Sequence, residues 1–423
     1  MVYRSRAIDE ELDEFLGGIP AILLDGPKGV GKTTTGKRRA KTVIRLDVPS
    51  QLQIAQADPD RILDGVSPTL IDEWQRYAPI WDAVKRHVDN EDKDGIFILT
   101  GSAYAPDATV HSGALRIHEL RMRPMTLPER GVVKPTVSLR SLVNGEKEIK
   151  GNAGNFGLSE YVKEIAASGF PSIRMKSAKL QSAELGSYLD NIVSKDFIEA
   201  GLKVRKPAAL HAWLRAYAAA TSTNMSYEKI RAMSTPGQET PPTKVTALAH
   251  IEVLKMLRIL DEVPAWLPGY NFSVELSQAP KRHLVDPALA VRALGLNTKM
   301  LLKGDEGAVK IEDQGNLLGR LFESLVTLSL RVFAQTLGAT ISHLRTVEGK
   351  HEVDLVLETE DGKIIGIEVK LSPTVKDDDV KHLLWLRENR KTEVIDLIVI
   401  TTGDTAFRRS DGVGVIPLAL LGL

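Results

Sequence analysis

Three consecutive units, α/β then helical then α/β, are predicted for this 423-residue chain, and three observations predict them. Short apolar runs alternate with helix-like stretches from 21 to 102. From about 158 to 265 the pattern is helical almost throughout. Beyond about 301, apolar strands return around one long apolar helix. The expected boundaries are 1–130, 131–300 and 301–423, as suits a chain too long for one core at about 100–200 residues per domain.

The N-terminal stretch MVYRSRAIDEELDEFLGG is charged and helical in pattern, and lacks the apolar centre of a signal peptide. AILLDG (21–26), TVIRLD (42–47), TLIDEW (69–74) and IFILTGS (96–102) are near-continuous apolar runs separated by helix, notably around APIWDAVKRHVDN (78–90). That alternation specifies a parallel sheet covered on both faces. LRIHELRMRP (115–124) reads as a fifth strand. Residues 131–157, with Gly145, Gly151, Gly154 and Gly157, lack clear periodicity and read as a loop or linker. In the middle unit, several short helices precede AWLPGYN and KRHLVD, which suggests a winged-helix-like module. In the tail, NLLGRLFESLVTLSLRVFAQTLG (316–338) is a long helix. EVDLVLE and KIIGIEVK form a hairpin through a Gly-containing turn, and DDDVKHLLWLREN and EVIDLIVITTG complete an α-β-β-α-β order. The apolar VIPLALLGL reads as a buried edge strand or short helix.

Lys plus Arg and Asp plus Glu both number 55, which excludes a uniformly basic coat but not a local basic face. The absence of cysteine excludes disulfides, thiolate catalysis and Cys-ligated zinc. A cytoplasmic location is expected. No run reaches the ~20 apolar residues of a membrane span, so no membrane partner is expected.

The chemistry concentrates in two places. Gly26-Pro27-Lys28-Gly29-Val30-Gly31-Lys32-Thr33, followed by Thr34, matches GxxxxGK[ST] between a strand and a helix. Glycines there let backbone N–H groups face phosphate oxygens. Lys32 then reaches the β/γ-phosphates of ATP, and Thr33 ligates Mg²⁺. Asp72 and Glu73 end a buried strand. Asp72 would hold the Mg²⁺ shell, and Glu73 would activate the attacking water. Thr100 and Ser102 end another strand, either as γ-phosphate sensors or as turn hydroxyls. Arg116, Arg121 and Arg123 lie together, either as a strand face or with Arg116 as an arginine finger supplied in trans.

The second place is the tail. Asp354, Glu368 and Lys370 sit on a hairpin, with Glu323 on the long helix. Glu368 and Lys370 share one strand face. Such carboxylates either hold Mg²⁺ at Asp354 and Glu368 for phosphodiester hydrolysis or form a partly buried salt-bridge network with Lys370 and Arg345. Between the two, residues 201–250 carry seven Lys/Arg against two Glu, a face that either tracks DNA or merely solvates helices. Trp213, Tyr217 and Trp266 read as core.

GPKGVGKTT, LIDEWQ, ILTGSA, ASGFPSIR, YLDNIVSKD, HLVDPALA, GRLFE, RTVEGKHEVDLVLE and IEVK occur in an order that resembles one prokaryotic family, over nearly the whole chain. These are the AAA-superfamily ATPases with a C-terminal domain of unknown function 4143. The resemblance implies a P-loop NTPase sheet at the N-terminus and a restriction-endonuclease-like, PD-(D/E)XK tail. Its glutamate, aspartate and Glu-x-Lys positions fall on Glu323, Asp354, Glu368 and Lys370. Ser112-Gly113-Ala114-Leu115-Arg116 departs from the family's usual Ser-x-x-Gly-Arg, and Lys28-Gly29 stands for its usual Arg-Gln. The expected function is a Mg²⁺-dependent ATPase coupled to a nuclease-like domain that binds or cuts DNA. Two alternatives stay open. One is a nucleotide switch whose non-catalytic tail binds protein or DNA; the other is a ring-forming DNA-remodelling ATPase, a homo-oligomer.

Overall fold

The computed structural model describes residues 3–101, 115–234, 243–266, 279–304, 316–346 and 349–423. Five strands, β1 (Ala21–Asp25), β2 (Thr42–Arg45), β3 (Thr69–Asp72), β4 (Phe97–Thr100) and β5 (Ile117–Arg121), form a parallel sheet in the order β2-β3-β4-β1-β5. Every residue of β1, β3 and β4 is buried, which is why these strands read as unbroken apolar runs. β4 inserts between β1 and β3. The carboxyl ends of these three strands therefore open side by side, where parallel α/β sheets bind ligands. This is the P-loop NTPase type of sheet that the resemblance implies.

The supposed linker is not a free connection. Its β6 (Val137–Ser138) and β7 (Gly151–Asn152) are strands of two residues each, too short for any periodicity. Both pair with the far end of the chain, as described below.

In the middle unit, helices Pro207–Ala219, Tyr227–Met233 and Lys244–Met256 precede antiparallel bridges that pair Leu260 with Leu284 and Val263 with Lys281. Three helices followed by a narrow ladder is the order of a winged helix. Trp213 and Tyr217 are buried in its core, and Trp266 is buried against the tail. The ladder continues outward: Ala265 bridges His343 in parallel, joining the middle unit to the tail sheet.

The tail strands are β8 (Thr340–Arg345), β9 (Glu352–Glu358), β10 (Ile364–Lys370), β11 (Val394–Thr401), β12 (Thr405–Arg408) and β13 (Gly414–Pro417), with the short β14 (Leu421–Gly422). The sheet order is β7-β12-β13-β11-β10-β9-β8, so β7 supplies one edge, and β14 pairs with β6. Of the two readings of the apolar VIPLALLGL, the short helix forms at Leu418–Leu420, and the strand before it is not at an edge. That strand, β13, lies inside the sheet, between β11 and β12. The helix Leu317–Thr336 buries most of its length, and Phe322 and Leu325 join a core continuous with Leu24 of β1 and Trp213.

One buried charge sits where the units meet. Asp261, in the segment leading from helix Lys244–Met256 into the ladder, faces Arg123 at 2.8 Å, Arg121 at 3.0 Å and Arg331 at 3.3 Å. Burial alone would raise its pKa. Arg123, Arg331 and Arg121 outweigh that and hold it well below the usual carboxylate range. The arginines proposed as a strand face or finger are thus divided: Arg121 and Arg123 are committed to this internal contact. Removing one partner of a buried ion network strands the other charges. Asp261→Asn is expected to cost about 3–5 kcal/mol, read as a fall in the chemical-denaturation midpoint.

Candidate functional site

The turn after β1 is built by backbone that only glycine adopts without strain. Gly26 has φ 154°, and a Cβ there would lie 2.2 Å from the Met122 carbonyl oxygen; Gly31 has φ 114° and opens the helix Lys32–Lys37. Lys32 is folded into this turn, and its Nζ donates to the carbonyl oxygens of Gly26 at 2.6 Å and Pro27 at 3.0 Å. Burial brings its pKa down to about 8, against the opposing charges of Asp25, Glu73 and Asp72.

Asp72 ends β3 with its carboxylate facing the turn. Thr33 Oγ1 donates to Asp72 Oδ1 at 2.7 Å, and Thr100 Oγ1 at the end of β4 donates to the same oxygen at 2.6 Å. Three residues from three separate elements thus converge on one oxygen. Glu73, next in the chain, takes left-handed backbone (φ 60°, ψ 43°), a strained conformation for a residue with a side chain. Gln75 Nε2 donates to its carboxylate at 2.6 Å. A cavity of about 420 Å³ is lined by Gly29, Gly31, Lys32, Thr33, Thr34 and Glu73, with Met256 and Leu257 entering from the middle unit.

The middle unit grips this turn twice. Lys28 Nζ reaches Asp196 and Glu199, each at 2.6 Å, and Tyr188 Oη donates to the Lys28 carbonyl at 3.1 Å. Asp196 lies on a π-turn, Ile192–Asp196, within YLDNIVSKD. Arg258, directly beyond the cavity-lining Leu257, ion-pairs with Asp25, which immediately precedes Gly26, and with Glu119 at 2.7 Å. Neither contact is visible in the sequence, because 233 positions separate Arg258 from Asp25.

Arg116, expected to act in trans on another copy, ion-pairs with Asp89 at 2.6 Å and does not line the cavity of its own chain. Ser102, with Ser112 to Ala114, lies outside the described residues.

The tail cluster also assembles, with an unforeseen member. Glu323, Asp354, Glu368 and Lys370 converge as expected, and Lys370 Nζ pairs with Glu368 at 3.0 Å. Between Glu323 and Asp354 sits Lys281 of the ladder. Its Nζ donates to Glu323 Oε1 at 2.8 Å and Asp354 Oδ1 at 3.1 Å. Val369 N donates to the other Asp354 oxygen at 3.0 Å. Burial, which favours the neutral acid, raises Glu323 to about 7 and Glu368 well above the ordinary value. Burial would also raise Asp354, but Lys281 and Lys370 hold it low. Three carboxyls, with Glu352 also 4.0 Å from Lys281 Nζ, face two ammonium groups. A divalent cation does not fit this arrangement, because the ammonium already holds the oxygens that would ligate it. No group of three or more His, Asp or Glu among the described residues is poised for a metal ion. The network reading left open by the sequence therefore describes the arrangement seen, with Lys281 as its central cation.

The Lys32 environment sets a pH dependence. A phosphate ligand requires the protonated amine, so raising pH through about 8 withdraws the binding-competent form. ATP affinity is expected to be flat below that pH and to fall about tenfold per unit above it, measured by fluorescent-nucleotide titration.

Residues 19–130 match the model of an AAA domain, 158–300 that of a domain of unknown function, DUF8612, and 318–421 that of the domain of unknown function DUF4143. The solved Walker-type ATPase PABY2304 of Pyrococcus abyssi is 14% identical, covers 69% of this chain and 96% of its own, and has a TM-score of 0.39. No curated protein matches. Among the described residues no helix is long and apolar enough to cross a membrane. With its GxxxxGK[ST] turn inside the AAA match, the chain is an ATP hydrolase with an AAA domain towards its N-terminus and a DUF4143 domain at its C-terminal end.

Proposed function

We propose that this ATPase works as a Mg²⁺-dependent nucleotide switch whose helical middle unit reads the phosphate loop, and whose nuclease-like tail is directed at DNA. The observation carrying the proposal is the convergence of Thr33 and Thr100 on Asp72 Oδ1, beside a cavity that also holds Lys32 and Glu73. In this reading Lys32 exchanges the carbonyls of Gly26 and Pro27 for β- and γ-phosphate oxygens. Thr33 Oγ1 and the Asp72 carboxylate are hard oxygen donors placed together, and fit Mg²⁺. When bound, that ion neutralises charge on the β- and γ-phosphates. Thr100 keeps the Asp72 carboxylate facing the loop. Glu73, steadied by Gln75, accepts the proton of the attacking water.

A smaller apolar cavity of about 180 Å³ supports a nucleotide rather than bare polyphosphate. It shares Gly31 and Thr34 with the phosphate cavity, and Tyr3, Met122, Pro171 and Met175 line it as a slot suited to a planar base. Middle-unit residues enter both cavities, so that unit is placed to respond to the nucleotide. DNA is the favoured macromolecular partner because Lys203, Arg205, Lys206, Arg215, Lys229 and Lys244 are solvent-exposed on the middle unit. Lys281 in the tail cluster favours the second reading, a tail that binds without cutting in the arrangement seen.

Glu73→Gln is expected to bind ATP at near-parental affinity and to turn over at least about 100-fold more slowly in a phosphate-release assay, whereas Lys32→Ala loses binding as well. Parental turnover by Glu73→Gln would remove Glu73 from the mechanism.

A further inference from the structure

We infer that Lys281 is a tethered cation occupying the place of a divalent metal ion in the tail, so that the cluster accepts metal only when the ladder carrying Lys281 withdraws. The inference rests on reading the tail cluster as a potential metal centre, and adds an occupant and a control to that reading.

Four observations carry it. Lys281 Nζ lies 2.8 Å from Glu323 Oε1 and 3.1 Å from Asp354 Oδ1, and its side chain is 3% exposed. It therefore holds one oxygen from each of two carboxylates on different elements, as an ion would. Lys370, the lysine within the tail itself, is engaged separately with Glu368. Secondly, Lys281 is foreign to the tail: it lies outside residues 318–421, within the stretch matched by the middle-unit model. Thirdly, its backbone is pinned. Lys281 N donates to the Val263 carbonyl at 2.9 Å, and Val263 N donates to the Lys281 carbonyl at 3.0 Å. Fourthly, the segment that pins it also reaches the phosphate loop. Arg258 pairs with Asp25 beside Gly26, and five residues further on Val263 pairs with Lys281.

The competition is electrostatic and steric. An ammonium and a divalent ion cannot both lie within bonding distance of the same two oxygens. Metal binding thus requires moving Lys281 out of a buried, doubly bonded position, and the cost appears as lost metal affinity. Linkage makes the effect reciprocal: whatever displaces the 258–266 segment strengthens metal binding, and metal binding favours the displaced segment. An ordinary ion pair explains the distances equally well. It does not explain why the cation is supplied by another unit, hydrogen-bonded to the segment that follows the cavity-lining Met256 and Leu257.

The test uses the full chain without nucleotide and Mn²⁺ alone as probe, with free Mn²⁺ followed by electron paramagnetic resonance. Lys281→Met keeps the side-chain bulk and removes the charge. It is expected to bind one Mn²⁺ about tenfold or more tightly than the parent, and Lys281→Met/Asp354→Asn is expected to lose that gain. An unchanged affinity in a Lys281→Met protein of parental circular dichroism overturns the inference. If the variant does not fold, amine acetylation of the parent followed by mass spectrometry decides. Lys281 is expected to be protected without Mn²⁺ and labelled in excess Mn²⁺; protection in both conditions overturns the inference. Because metal binding is the readout, a Lys281→Met protein that holds Mn²⁺ yet cuts no DNA supports the tether and removes only the nuclease reading.

Discussion

A carboxylate buried among three guanidinium groups organises this molecule. Asp261 joins the end of the nucleotide-binding sheet, through Arg121 and Arg123, to the long tail helix, through Arg331, and it does so from the middle unit. Burying four charged groups is tolerable only if they stay together. The backbone around Asp261 is therefore held from three directions, and Arg331 also donates to the carbonyl oxygens of Asp261 and Glu262. Arg258, three residues earlier, and Val263, two residues later, inherit their places from that anchor. The contact beside the phosphate loop and the contact with Lys281 both follow.

The two polar centres hold their lysines in different ways. At the phosphate loop, Lys32 is buried with only backbone carbonyls as hydrogen-bond partners, and Asp25 is taken by Arg258. At the tail, Lys281 and Lys370 serve Glu323, Asp354 and Glu368, and burial favours the neutral acid at Glu323 and Glu368. One connected segment touches both. A shift at one end has a physical route to the other through hydrogen-bonded backbone, without a chain of loosely packed side chains.

What could be read from the chain in advance was whatever is local. The strands β1, β3 and β4 announce themselves because both their faces are covered, and the turn 26–33 because its glycines and Lys32-Thr33 are contiguous. Asp72 with Glu73, and the hairpin bearing Asp354 and Glu368, were legible for the same reason. Arg258, Asp261 and Lys281 were not, since each acts through partners in other units; Lys281 lies in KRHLVD, but nothing there points to its partners in the tail. β6 and β7 escaped because two residues carry no period, and the edge position read for VIPLALLGL failed because the neighbours of β13 in the sheet are decided by distant strands. The division of Arg121 and Arg123 from Arg116 likewise depends on the position of Asp261, not on their closeness in the chain.

The pairing of β6 with β14 and of β7 with β12 bears on how the chain is made. Val137 is synthesised long before its neighbour Leu421, and Asn152 long before Thr405. During translation the nucleotide-binding sheet can close early from local parts. The segment after it must wait, its strand edges unpaired, until nearly all later residues have left the ribosome. Pairings so distant in sequence close slowly and leave sticky edges exposed meanwhile. The brevity of β6 and β7 is then a protection: two residues offer little template for a wrong partner.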